Sequence, residues 1–177
     1  LGGIAKGYAA DEVAGLLVAG GVRSALIDLG GNIVVIGSRP AGGKWRIGIQ
    51  DPERGRGQYL GIVQVADSTI VTSGVYERYF EQDGVRYHHI LDPATGAPAR
   101  TGLLGVSIVA RRSVDADALS TAVFVLGLDK GLALVESLPD VEAVFVGEDH
   151  KVTVSSGLAE TFRVTSPSYA LSSPPPR

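Results

Sequence analysis

YERYFEQDGVRYHHIL, residues 76–91, places an Asp83-Gly84 pair between two stretches that alternate in polarity. That pair favours the left-handed conformations of a two-residue hairpin turn, and the flanking period of two is that of strands with one buried face. The segment therefore reads as two antiparallel strands, and the chain around it decides what they belong to. On its N-terminal side lie YLGIVQVAD and STIVTSG, then KWRIGIQDP, then SALIDLGGNIVVIG bent at Gly30 and Gly31. Each is a short apolar run bounded by turn residues, as strands are.

The strand run is bracketed by helices. Ile4 to Ala19 repeats apolar residues at helical spacing (Ile4, Tyr8, Ala9, Val13, Leu16, Leu17), and Gly20-Gly21 stops it. LDPATGAPAR follows the hairpin as a turn-rich loop, LLGVSIVA as another strand. Two helices are expected next, at about Val114–Leu126 and Asp129–Leu138, then a final hairpin of VEAVFVG and KVTVSSG around Glu148-Asp149. The order is helix, strands, two helices, two strands, which lacks the βαβ alternation of a dinucleotide fold. It predicts an α+β fold with a largely antiparallel sheet and helices packed on it. Residues 1–164 read as one domain, and the Ser/Pro-rich residues 165–177 as a disordered tail or linker.

Composition narrows the function classes. The 177 residues are long enough for one core, and 16 basic against 19 acidic residues give a formal charge of -3. There is no basic run and no basic-aromatic interleaving, so nucleic acid is not an expected partner. No apolar stretch reaches the roughly 18 residues of a membrane span. With no Cys, disulfides, thiolate metal sites and a cysteine nucleophile are excluded. Met is absent as well and the chain begins LGGIAKGY, so a fragment, a processed product or a truncated chain is expected.

Four stretches carry candidate chemistry. LGGIAKGY sets glycines and Lys6 at the start of a helix, where backbone N–H groups favour anions; it also reads as a structural turn, because it matches no standard phosphate fingerprint. LGGN, residues 29–32, could admit a ligand close to the backbone or could mark a bend. His88 and His89 are adjacent on a strand and point to opposite faces, which disfavours a zinc pair; one could serve as a general base, or either could be structural. In DADALSTAVFVLG, residues 115–127, Asp117 and Thr121 are four apart and share a helix face. They are hard oxygen donors suited to magnesium, or else Asp115 or Asp117 caps the helix and Thr121 packs.

Taken in order, LGGIAKGYAAD, the LGGN-to-WRIGIQDP stretch, TSGVYERYF with YHHILDPATG, and DADALSTAVFVLG resemble the ApbE family, the FAD:protein FMN transferases. The resemblance implies a T-fold-like domain, here incomplete at its N-terminus, with the preceding half supplied by another segment or chain. It implies magnesium as cofactor, FAD as substrate and a flavoprotein acceptor, with FMN joined to a Thr or Ser hydroxyl and AMP released. Hydrolysis of FAD to FMN and AMP, or a non-catalytic flavin-binding fragment, are the alternatives. By position, the resemblance assigns Gly3 (through its carbonyl), Asp117 and Thr121 to the metal. It assigns Lys6 and Ile90 to FAD, and His89 to activation of the acceptor hydroxyl. It also implies, by analogy, a location in the bacterial periplasm or on the outer face of the cytoplasmic membrane, with anchoring only through an upstream lipoprotein signal.

Overall fold

The computed structural model describes residues 2–172. The chain opens with helix α1 (Ala5–Ala19) and a hairpin of β1 (Ala25–Asp28) and β2 (Asn32–Ile36), turned at Gly30-Gly31. Both glycines have positive φ, 71° and 89°, and the Asp28 carboxylate accepts both of their N–H groups at 2.9 and 3.2 Å. The bend is thus a tight primed-type turn. β3 (Trp45–Gln50), β4 (Tyr59–Val65) and β5 (Ser68–Gly74) follow, then the hairpin of β6 (Tyr79–Gln82) and β7 (Val85–His88). Asp83 and Gly84 both adopt positive φ, as the opening stretch predicts.

The second half runs β8 (Leu103–Ala110), α2 (Ser113–Ser137), β9 (Glu142–Gly147), β10 (Lys151–Val154), β11 (Phe162–Val164) and β12 (Ala170–Ser172). Among the described residues, a seven-stranded sheet is ordered β1-β2-β5-β8-β9-β10-β12, antiparallel except for the β10/β12 pair. A three-stranded sheet, β11-β4-β3, forms a second layer, and β6-β7 stands apart as a two-stranded ribbon.

Period two explains the layering. On β8, Val106, Ile108 and Ala110 join the cluster with Ala116, Val123, Phe124 and Val135 of α2, while Val109 faces the other way. On β9, Ala143 and Phe145 face the helix, and Val144 and Val146 face the three-stranded sheet beside Ile47, Leu60, Val63 and Phe162. The central strands are buried on both faces, so LLGVSIVA and EAVFVG read as apolar runs rather than clean alternations. Each fully buried large side chain here, Phe124 and Phe145 among them, contributes roughly 1.5–3 kcal/mol of transfer free energy.

The two helices expected after β8 are both present, run together in α2 and broken between them at Gly127, whose φ of 77° and ψ of -179° leave the helical region. Counted across that break, α2 is 25 residues long, with a mean hydropathy of 1.7 over its most apolar window. Its apolar side is laid on β5, β8 and β9. One expectation needs correction: residues 165–172 are not a loose tail. β12 pairs in parallel with β10, and Tyr169, 6% exposed, donates its hydroxyl to Asp51 Oδ1 at 2.9 Å. Asp51 is itself buried, so Tyr169 satisfies a carboxylate that needs partners, and burial with that bond holds the phenol far above its ordinary pKa. Residues 173–177, the rest of the expected tail, lie outside the described residues.

Candidate functional site

The first turn of α2 is clasped by α1. The Gly7 N–H donates to Asp117 Oδ2 at 2.8 Å, a buried bond spanning 110 residues of sequence. One turn further along α1, Asp11 accepts from two N–H groups of α2: Ser113 to Oδ1 at 2.7 Å and Val114 to Oδ2 at 2.9 Å. These are N–H groups that a helix leaves without intrahelical partners. The cap expected from Asp115 or Asp117 is therefore supplied from another helix, by Asp11. Asp115 is exposed and pairs with Arg112 at 3.7 Å, and no side chain at the N-cap position of α2 makes a capping bond.

Close approach of the two helices depends on Gly7. A Cβ there would meet the Ser113 carbonyl oxygen well inside contact distance and Asp117 Cβ at 2.8 Å. Beneath the junction runs a buried polar relay: Ser113 Oγ donates to Asn32 Oδ1 at 2.6 Å, and Thr69 Oγ1 donates to Ser113 Oγ at 3.1 Å. Asp11→Asn keeps one acceptor and loses the other. It is expected to cost about 1 kcal/mol, read as a fall of roughly 2–4 °C in melting temperature for a chain of this length.

Asp117, only 9% exposed, is bonded through Oδ2, which leaves Oδ1 for another partner. Thr121 stands one turn on, exposed, with Oγ1 3.1 Å from Ser73 Oγ on β5; Ser73 Oγ is also 2.8 Å from Ser120 Oγ. One carboxylate with three hydroxyls gathered beside it is a hard-oxygen set. Among the described residues there is no cluster of three or more His, Cys, Asp and Glu side chains. Such a sparse set fits magnesium, which keeps several waters and takes one or two protein carboxylates.

The remaining predicted residues are distributed as follows. Gly3 lies one turn before Gly7, just ahead of α1, with open space around it. Lys6 is exposed, and its Nζ reaches the Gly30 carbonyl at 3.4 Å, which links the start of α1 to the LGGN turn. His89 follows β7 and is exposed; its Nδ1 lies 3.1 Å from the Arg78 carbonyl, and its own N–H donates to the same oxygen at 3.1 Å. A carbonyl only accepts, so Nδ1 is the nitrogen that donates to it, and in the neutral ring the lone pair then sits on Nε2. Ile90 does not present its side chain outward: it is 2% exposed, in the core with Val71, Val75 and Phe124. Its carbonyl accepts from Ala99 N–H at 3.0 Å, so it anchors the segment that carries His89. His88 faces inward, on the opposite side from His89 as strand alternation requires, and packs edge-on against Phe124, two turns along α2 from Asp117.

Sequence reasoning passed over Gly7, Asp11, Ser73 and Ser120. The one available signal is spacing: Gly3, Gly7 and Asp11 recur every four residues, on one side of a helix.

Comparison with known proteins bears on this arrangement. The matching family model is described as the ApbE family and covers residues 1–145. A Treponema pallidum (strain Nichols) protein named FAD:protein FMN transferase is 49% identical over 180 residues, covering 97% of this chain and 49% of that protein. A Klebsiella pneumoniae (strain 342) protein of the same name is 42% identical over 156 residues, 88% of this chain and 48% of that one. The crystal structure of an ApbE protein from Thermotoga maritima superposes with a TM-score of 0.79 at 38% identity, over 89% of this chain and 51% of that chain. The flavin transferase ApbE from Vibrio cholerae does so at 0.75 and 32% identity, over 89% and 50%. The chain thus spans about half the length of the relatives it matches.

Proposed function

This chain belongs to the ApbE family, and on that premise we propose that it supplies the metal and acceptor-activating part of a FAD:protein FMN transferase. The reaction would move FMN from FAD to a Thr or Ser hydroxyl of an acceptor flavoprotein and release AMP. The observation that carries this reading is the bond from Gly7 N–H to Asp117 Oδ2, which joins LGGIAKG to DADALST in one polar site.

The roles follow from the donors. Asp117 Oδ1, Thr121 Oγ1 and the Gly3 carbonyl would hold magnesium, and a bound magnesium ion supplies stabilisation of the charge that develops on the pyrophosphate oxygens. Lys6, exposed at the start of α1, adds a positive charge to a helix N-terminus that already favours phosphate. His89 is held by the Arg78 carbonyl with Nε2 free, the tautomer a general base requires. Nε2 would take the proton of the acceptor hydroxyl as its oxygen bonds to the FMN phosphorus. The bond from that phosphorus to the bridging oxygen breaks, and the oxygen leaves with AMP. Gly7 fixes the Asp117 carboxylate directly, and Asp11 fixes the start of α2 that carries it.

The test uses the protein carrying this chain, with FAD, magnesium and a peptide bearing a single acceptor threonine. AMP release and FMN-modified peptide are followed together by chromatography and mass spectrometry. Both are expected with magnesium and neither with EDTA. His89→Ala is expected to lower peptide modification by about 10²–10⁴-fold, the usual worth of a positioned base, with magnesium binding unchanged. Modification that persists undiminished in EDTA would overturn the reading.

A further inference from the structure

The β6–β7 ribbon turns one of its faces away from the core. Its register sets Gln82 opposite Val85, Phe80 opposite Tyr87 and Tyr79 opposite His88, and the bond from His89 N–H to the Arg78 carbonyl extends the ladder by one pair. Strand alternation then sorts the side chains. Tyr79, Glu81, Arg86 and His88 share one face, on which His88 is buried. Phe80, Val85, Tyr87 and His89 share the other. There Phe80 is 60% exposed and Val85 40%, and neither belongs to a core cluster. Past the ribbon the alternation continues, with Ile90 buried and Leu91 51% exposed.

His89, itself exposed, therefore stands between two exposed apolar contacts. The rings of Phe80 and half-buried Tyr87 stack with centroids 5.1 Å apart and planes within 8°. They lie two residues before His89, about 7 Å along an extended strand, and Leu91 lies two residues after it. Scattered apolar side chains on a surface are ordinary, whereas a contiguous row of them marks a contact surface.

We propose that this outer face docks the acceptor polypeptide in extended conformation, with its Thr or Ser hydroxyl at His89 Nε2 and apolar side chains two residues to either side over the Phe80–Tyr87 pair and Leu91. The inference rests on the reading of His89 as the base for a protein hydroxyl. An extended chain repeats side chains on one side every two residues, about 7 Å, which is the spacing of this row. A segment laid along the strand with its hydroxyl at His89 thus reaches both contacts. Each ring of the aromatic pair already covers one face of the other, so the pair suits an aliphatic side chain across its edges better than a flat flavin.

The test uses the protein carrying this chain, with FAD, magnesium and a pair of peptides that each hold a single threonine. One has leucine two residues to either side of the threonine, the other serine. Affinity is read by fluorescence anisotropy on versions with valine in place of the threonine, so that binding is seen without reaction, and transfer is followed separately by mass spectrometry. The leucine peptide is expected to bind about 25-fold tighter than the serine peptide, about fivefold for each apolar contact. Phe80→Ser and Leu91→Ser should each weaken the leucine peptide about fivefold and leave the serine peptide, FAD and magnesium within about twofold. Phe80→Tyr keeps the ring and should bind as the parent does. Both side chains are exposed, so melting temperatures should stay within about 2 °C. Equal affinity for the two peptides, or unchanged affinity in both serine variants, overturns the docking surface even where transfer proceeds. Binding that depends on Phe80 and Leu91 without any transfer supports the surface and counts against the transfer reading. A loss of FAD affinity in place of peptide affinity would give the face to the nucleotide, and a large fall in melting temperature would give it to packing within the protein; either overturns the proposal.

Discussion

Gly7→Ala is expected to lower the melting temperature by about 5–10 °C and to weaken magnesium binding at the same time. In an ordinary exposed helix this substitution stabilises by up to ~1 kcal/mol, because alanine loses less backbone entropy than glycine. Here the new methyl group meets the Ser113 carbonyl oxygen and Asp117 Cβ. The first is backbone at the start of α2 and cannot rotate aside. Relief requires the two helices to part, which stretches the 2.8 Å bond from Gly7 to Asp117 and both bonds to Asp11. Overpacking of this kind costs about 1–3 kcal/mol, and a weakened charged hydrogen bond adds a comparable amount. The net loss is roughly 2–3 kcal/mol after the propensity gain, and each kcal/mol is worth about 2–4 °C at this size. Thermal unfolding followed by circular dichroism decides it. An unchanged or raised melting temperature would mean that the helices do not approach so closely.

What could be read from the sequence was whatever is written locally. Asp83-Gly84 demanded a tight turn and made one, because both residues tolerate positive φ. Gly127 broke α2 near where the helical pattern lapses. The α+β order and the antiparallel sheet followed from such signals summed along the chain. The cap of α2 could not be read that way. Its acceptor, Asp11, is 102 residues from Ser113 and sits inside another helix, where a lone aspartate carries no capping signature. Composition misled at residues 165–172 for a related reason. Ser and Pro mark that stretch as polar and irregular, but its place is set by Tyr169 reaching the buried Asp51, 118 residues away. The family motifs assign Asp117 and Thr121 to a metal, and in the fold the two share one face of α2 beside the hydroxyls of Ser73 and Ser120. The motifs assign Ile90 to FAD; its side chain fills the core, which leaves its backbone as the part nearest the surface segment that carries His89.

Asp117→Asn separates the structural work of this residue from its proposed chemistry. The amide oxygen can still accept from Gly7 N–H, so the α1–α2 contact survives and stability should change by less than ~1 kcal/mol. The second oxygen becomes an NH₂ group, and the negative charge is lost. An NH₂ donor turned toward magnesium repels it, and magnesium depends on hard anionic oxygen for its affinity. Calorimetry should therefore show magnesium affinity weakened by about a hundredfold or more. AMP release from FAD should fall by two to three orders of magnitude, about 3–4 kcal/mol at 1.36 kcal/mol per decade. Asp117→Ala, by contrast, strands the buried Gly7 N–H and should lower stability as well, by about 1–3 kcal/mol. The pair of variants is read together. If Asn and Ala lower the melting temperature equally while Asn leaves magnesium affinity intact, Asp117 is a structural acceptor only and the metal is held elsewhere. If Asn keeps the melting temperature and loses the metal, the carboxylate that α1 clasps through Gly7 is the one that binds it.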